Sequence, residues 1–199
     1  MYQSKEIRWF ERVPDKNILE WFASQNLSFN KCKPRIDFYL PIQGNNAIGV
    51  KLREGNVEIK TRVTQPEHLM LTETVSGFSE IWNKWSFGAD KSDPLANEII
   101  NEKKYEWLEV YKERIGIKMV PGSDGEPEIR SISENLSSGC QMEYTRLLIK
   151  EKTWYSFALE WFGEPAFDPG EEFFLRMLGE TILHSENSMG YPELLHRIF

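Results

Sequence analysis

The stretch Ile48–Val63, IGVKLREGNVEIKTRV, holds a dense set of residues suited to binding an anion. It reads as two short strands around a turn. Lys51 and Arg53 share one parity in the first strand, and Glu58, Lys60 and Arg62 share one in the second. Val50 and Leu52, then Val57 and Ile59, take the other parity. Alternate side chains of a strand point to opposite faces, so the hairpin has one apolar and one mainly cationic face. Arginine and lysine together are phosphate-binding chemistry: a guanidinium offers a planar fork for two oxygens, and an ammonium a compact charge. A Gly55-Asn56 turn pairs Arg53 with Glu58, Leu52 with Ile59, Lys51 with Lys60 and Gly49 with Arg62. Opposed lysines repel. A solvated face screens the repulsion. A concave face needs an anion, or more carboxylates, to complete the set.

The same division recurs in other segments. Glu6, Arg8 and Arg12 oppose Ile7 and Trp9. Lys112, Arg114 and Lys118 oppose Ile115, Ile117 and Met119. Ser156, Ala158 and Glu160 oppose Tyr155, Phe157, Leu159 and Trp161, while Tyr144, Arg146 and Lys150 share a face with Met142 and Leu148. On one strand, alternating charge is ordinarily a solvated face. Glu6 and Glu160 beside Arg8, Arg53 or Arg114 also fit structural ion pairs. Repetition across strands fits a flat sheet with helices on its apolar face. It also fits an antiparallel barrel with a polar lumen and helices packed outside, which removes exposed edges.

These faces need elements to carry them. EIRWFER and RIDFYLP read as strands. Between them Asp15 caps a helix whose stripe is Ile18, Leu19 and Phe22. VSGFSEIWNKWSF places Phe78, Ile81, Trp82 and Trp85 at helical spacing and reads as a short helix packed in the core. DPLANEIINEKK reads as another, with Asp93 as cap and Pro94 at its first position. YEWLEVYKERIGIKMV is a long β run, PGSDGEPE a loop, and CQMEYTRLLIKEKTWYSFALEWFG a hairpin turning at Glu151–Thr153. DPGEEFFLRMLGETIL predicts a helix capped by Asp168, with a Glu171 capping box and a stripe of Phe174, Met177, Leu178 and Ile182. GYPELLHRIF docks as a tail. Strands in adjacent hairpins make the class α+β with a mainly antiparallel sheet.

At 199 residues the chain suits one domain spanning residues 1–199 with one sizeable core, and seven Trp, seven Tyr and twelve Phe supply it. No window is apolar enough to cross a bilayer as a helix, and MYQSKEIRWFER has no secretory core, so no membrane partner is expected. Cys32 and Cys140 lack metal-ligand spacing; a disulfide stays open, and free thiols in a reducing cytoplasm are the expectation. Net charge −7 argues against nucleic acid as a partner and makes the local basic cluster the informative feature. His68, His184 and His196 share no spacing and are read as non-catalytic. No phosphate loop, nucleophile elbow or metal-binding histidine pair is present.

EIRWF, YLP, GVKLREGNVEIKTR, ERIGIKM and ALEW, in this order, resemble the CYTH superfamily, the triphosphate tunnel metalloenzymes related to class IV adenylate cyclase and thiamine triphosphatase. The resemblance implies an antiparallel barrel whose lumen binds a triphosphate through basic residues, with Mg²⁺ or Mn²⁺ held by glutamates. Lys51, Arg53, Lys60 and Arg114 match the family's basic positions. Arg8, Arg62 and Arg146 join them as expected anion-binding residues, and Glu6, Glu58 and Glu160 are the expected metal ligands. Two departures weigh on function. Where the family opens with Glu-x-Glu-x-Lys, this chain has Glu6, Arg8 and Phe10; near the last strand Glu160 stands alone between Ala158 and Phe162. The expected function is therefore binding of a phosphorylated or polyanionic small molecule in a basic lumen, with no catalytic residue assigned. The alternative is a metal-dependent phosphohydrolase acting on triphosphate or nucleotide substrates.

Overall fold

In the computed structural model, residues 2–53, 55–88, 94–104, 106–123, 125–164 and 167–198 are described. The strands are β1 (Tyr2–Glu11), β2 (Arg35–Leu40), β3 (Ile48–Arg53), β4 (Asn56–Arg62), β5 (Glu67–Thr72), β6 (Val75–Gly88), β7 (Leu108–Pro121), β8 (Pro127–Ser131), β9 (Gly139–Ile149) and β10 (Lys152–Phe162). The helices are α1 (Lys16–Ser24), α2 (Pro94–Ile100), α3 (Glu171–Leu178) and α4 (Tyr191–Ile198). Eight strands form a closed antiparallel barrel in the order β1-β10-β9-β7-β2-β3-β4-β6, and β6 returns to pair with β1. β5 extends β6 and β8 extends β7 outside this ring.

The apolar strand faces point away from the barrel axis, and the helices cover them. Ile7, Trp9, Ile115, Met142, Phe157 and Leu159 pack against Ile18 and Phe22 of α1 and Phe174, Met177 and Leu178 of α3. Phe38 and Leu52 pack beneath Ile99 of α2, beside Val57 and Trp107. A separate cluster fills one end of the lumen: Phe10, Tyr39, Leu108, Val110, Leu147 and Ile149 meet Met189 and Leu194 and Leu195 of α4. The tail thus docks as expected and closes that end. On β7 the side chain of Ile132 lies over Gly116. A Cβ at Gly116 would stand 2.8 Å from the Met142 carbonyl oxygen, a backbone atom that cannot swing aside as Ile132 Cδ1 can, so the position favours glycine.

Several local expectations are corrected. The β3–β4 turn centres one residue earlier, with Gly55 at φ +78°, and Lys51 faces Glu58 rather than Lys60, while Arg53 faces Asn56. The observed register removes the like-charge pair and keeps every residue on its expected face. VSGFSEIWNKWSF is the long strand β6, not a helix: Glu80, Trp82, Lys84 and Ser86 alternate along its inward face, and pairing with β1, β4 and β5 fixes it. The β9–β10 turn lies at Lys150-Glu151, both at positive φ. α3 starts at Glu171 with Gly170 as cap, while Asp168 Oδ1 accepts from Gly170 N at 3.0 Å in the preceding turn. Ile182 lies beyond α3 and is exposed. Strand β8 occupies part of the expected loop. The Asp93 cap lies outside the described residues.

Candidate functional site

The inward strand faces enclose a cavity of about 830 Å³. Nine basic and five acidic side chains line it, in a chain whose net charge is −7. Lys51 and Arg53 reach it from β3, Lys60 from β4, Lys84 from β6, Arg8 from β1, Arg35 from β2, and Lys112, Arg114 and Lys118 from β7. The acids are Glu6, Glu58, Glu80, Glu143 and Glu160. Strand alternation does the positioning: the residues between these are the ones buried against the helices.

Most of these charges are already paired. Glu58 is nearly fully buried and meets Lys51 at 2.8 Å, Lys84 at 3.5 Å and Arg53 in close contact. Burial opposes its charge, but Lys51, Lys84 and Arg53 hold its pKa down to about 2. Glu143 accepts from Arg8 at 2.9 Å and from Arg114 at 3.2 Å, and these guanidinium groups hold it well below the usual carboxylate range despite burial. On the inward face of β2, Asp37 is fully buried and holds Lys112 at 2.9 Å and Arg35 at 3.1 Å, with its pKa pulled to about 2 against the effect of burial. Lys112 also donates to Tyr39 OH at 2.6 Å, and its ammonium sits 3.9 Å from the Tyr191 ring centre. Burial brings the pKa of Lys112 down to about 8 and that of Lys51 to about 7, Lys112 adding to the shift at Lys51.

On the opposite wall three glutamates stand side by side: Glu160, Glu6 and Glu80 are cross-strand neighbours on β10, β1 and β6. Lys60 binds Glu6 and, with Arg8, holds its pKa low against burial. Arg62 binds Glu80 at 2.6 Å. Glu160 lies beside Tyr2, and its pKa is raised by burial and by Glu6 beside it. Thr145 Oγ1, buried and on a strand face that lines the cavity, has no hydrogen-bond partner among the described residues.

Of the residues expected at the site, Arg8, Lys51, Arg53, Lys60, Arg114, Glu6, Glu58 and Glu160 line this one cavity. Arg62 points inward at the rim, committed to Glu80 and to Asn46 Oδ1 at 3.1 Å. Arg146 does not reach it. It lies on the outer face of β9, bound to Glu113 and stacked over Phe29 at 5.3 Å, because the inward parity of β9 belongs to Gln141, Glu143 and Thr145. Phe10 is part of the lumen plug, edge-on to Tyr191 at 5.2 Å. Sequence reasoning missed Glu80 and Lys84 through the helical reading of β6. It missed Glu143, although the polar alternation Gln141-Glu143-Thr145 carries the signal. Arg35 and Lys118 also line the cavity, the latter donating to the Glu134 carbonyl.

The fold and site define a closed antiparallel barrel with a charged, cation-rich interior. No family model matches the chain, and no curated protein matches it. Among solved structures it is similar to the PH1012 protein of Pyrococcus horikoshii OT3, at 13% identity over 95% of this chain and 98% of that one, with a TM-score of 0.43. No described helix is long and apolar enough to cross a membrane.

Proposed function

We propose that this barrel is a divergent CYTH-like protein that binds a phosphorylated or otherwise polyanionic small molecule in its lumen. The observation that carries the reading is the convergence of nine basic against five acidic side chains on one cavity, in a chain that is acidic as a whole. A low-dielectric wall around like charges focuses positive potential inside. The side chains of Arg53, Lys60, Lys84 and Arg114 keep 25%, 25%, 27% and 30% of their surface open, so they are cations with reach left for a ligand. The deeper Arg8 and Lys112 serve their carboxylates.

Calorimetric titration of tripolyphosphate is the test. Wild type binds, and affinity falls as salt rises. Arg53→Ala with Lys84→Ala weakens binding at least about tenfold, about 1.4 kcal/mol. No binding at low salt, or equal affinity in the double variant, refutes the proposal. Metal-dependent release of phosphate from triphosphates, abolished by chelation, would favour the phosphohydrolase alternative instead.

A further inference from the structure

The carboxylates of this cavity do not fit the divalent metal that the CYTH resemblance implies. Glu58 is enclosed by Lys51, Arg53 and Lys84. Glu6 is held by Lys60, Glu80 by Arg62, and Glu143 by Arg8 and Arg114. Of the three expected ligands, Glu160 alone forms no ion pair among the described residues. Glu160, Glu6 and Glu80 are neighbours across β10, β1 and β6, but no three acidic, cysteine or histidine side chains among the described residues are placed to hold one metal ion. A hard dication takes about six oxygen ligands around itself. Here it would have to displace ammonium and guanidinium groups that already satisfy the same oxygens.

We propose that the cavity recognises its ligand as the free polyanion and not as a magnesium or manganese chelate. Lysine and arginine side chains neutralise the phosphate oxygens in place of a dication. This inference rests on the polyanion-binding reading above. The buried glutamates are then internal counter-ions: Glu58 orients three cations and prevents their mutual repulsion, and it also lowers the positive charge that a ligand meets. A dication in solution does not bridge ligand to protein. It competes with the protein for the ligand.

The experiment is calorimetry with tripolyphosphate in excess EDTA, then at rising free Mg²⁺. Affinity is full in EDTA. The apparent dissociation constant rises in proportion to free Mg²⁺, about tenfold when Mg²⁺ stands about ninefold above the ligand's own magnesium dissociation constant. Two variants give opposite signs for the two cases. Glu58→Gln releases three cations and tightens binding, whereas loss of a metal ligand would weaken it. Glu160→Gln leaves affinity equal or tighter, and keeps the comparison alive if a thermal melt shows that Glu58→Gln does not fold. Binding that requires Mg²⁺ or Mn²⁺, or that Glu160→Gln weakens, overturns this inference and leaves the polyanion reading standing. Absence of binding with and without metal overturns both.

Discussion

A lysine ammonium inside a protein wall is stable only where its partners offset the loss of water. Lys51 has Glu58 at 2.8 Å, but burial and Lys112 together bring its pKa to about 7. Its neighbour Arg53 cannot relieve the crowding by losing a proton, since a guanidinium stays charged; the lysine can. The consequence for stability has a definite sign. Below about pH 7 the folded and unfolded chains both carry the proton, and the penalty is complete. Above it, up to the unfolded lysine value near 10.4, the unfolded chain binds a proton that the folded chain does not, so stability rises by at most about 1.4 kcal/mol per pH unit. Lys51→Met lacks this contribution, while the similar one from Lys112 is common to both proteins. Urea unfolding across pH should therefore show wild type gaining on Lys51→Met between neutral and alkaline pH. Parallel curves would show that Lys51 stays charged.

Elements whose signal is local were legible in the sequence. The α1 cap is one: Asp15 Oδ1 accepts from Ile18 N at 2.9 Å, as Asp before an apolar stripe predicts. The same oxygen accepts from Thr181 Oγ1 at 3.0 Å, a long-range tie that no local pattern announces. Asp15→Ala should cost about 1–2 kcal/mol by losing both bonds, with Asp15→Asn recovering most of it. Thermal melts check this, and an unchanged midpoint for Asp15→Ala would discount the cap. Face assignments were legible for the same reason, because alternation is a property of one strand. Register and partner choice were not. The β3–β4 slip depends on which two residues make the turn, and β6 shows both helical and strand spacing until β1, β4 and β5 flank it. Half of the site followed from this. Lys51, Arg53 and Lys60 were visible as a basic face, while the Glu58 cluster needed Lys84 from a strand that read as a helix.

At the scale of the whole barrel, the interior is a balance between cations and the carboxylates that separate them. Asp37 and Glu58 titrate near 2 in the folded chain, and Glu143 is held low as well, against about 4 when unfolded. Groups with depressed folded values contribute stability that is complete above the unfolded value and is lost as pH falls through the folded one. Between about pH 4 and pH 2 the barrel should therefore lose the counter-ions of Lys112, Arg35, Lys51, Arg53, Lys84, Arg8 and Arg114 together. Acid unfolding should be steep. An anion that stays charged there can replace the lost carboxylates if the lumen admits it. Sulfate should then move the acid midpoint to lower pH more than chloride does at equal ionic strength. Sulfate also stabilises folded proteins in general by exclusion from their surface, so the comparison needs the Arg53→Ala, Lys84→Ala variant. A lumen effect shrinks in that variant, while the general effect does not. Circular dichroism across the acid transition, in both salts and both proteins, gives the four curves required. An equal sulfate advantage in the two proteins would place the anion effect outside the barrel and remove the lumen's claim to be an anion seat.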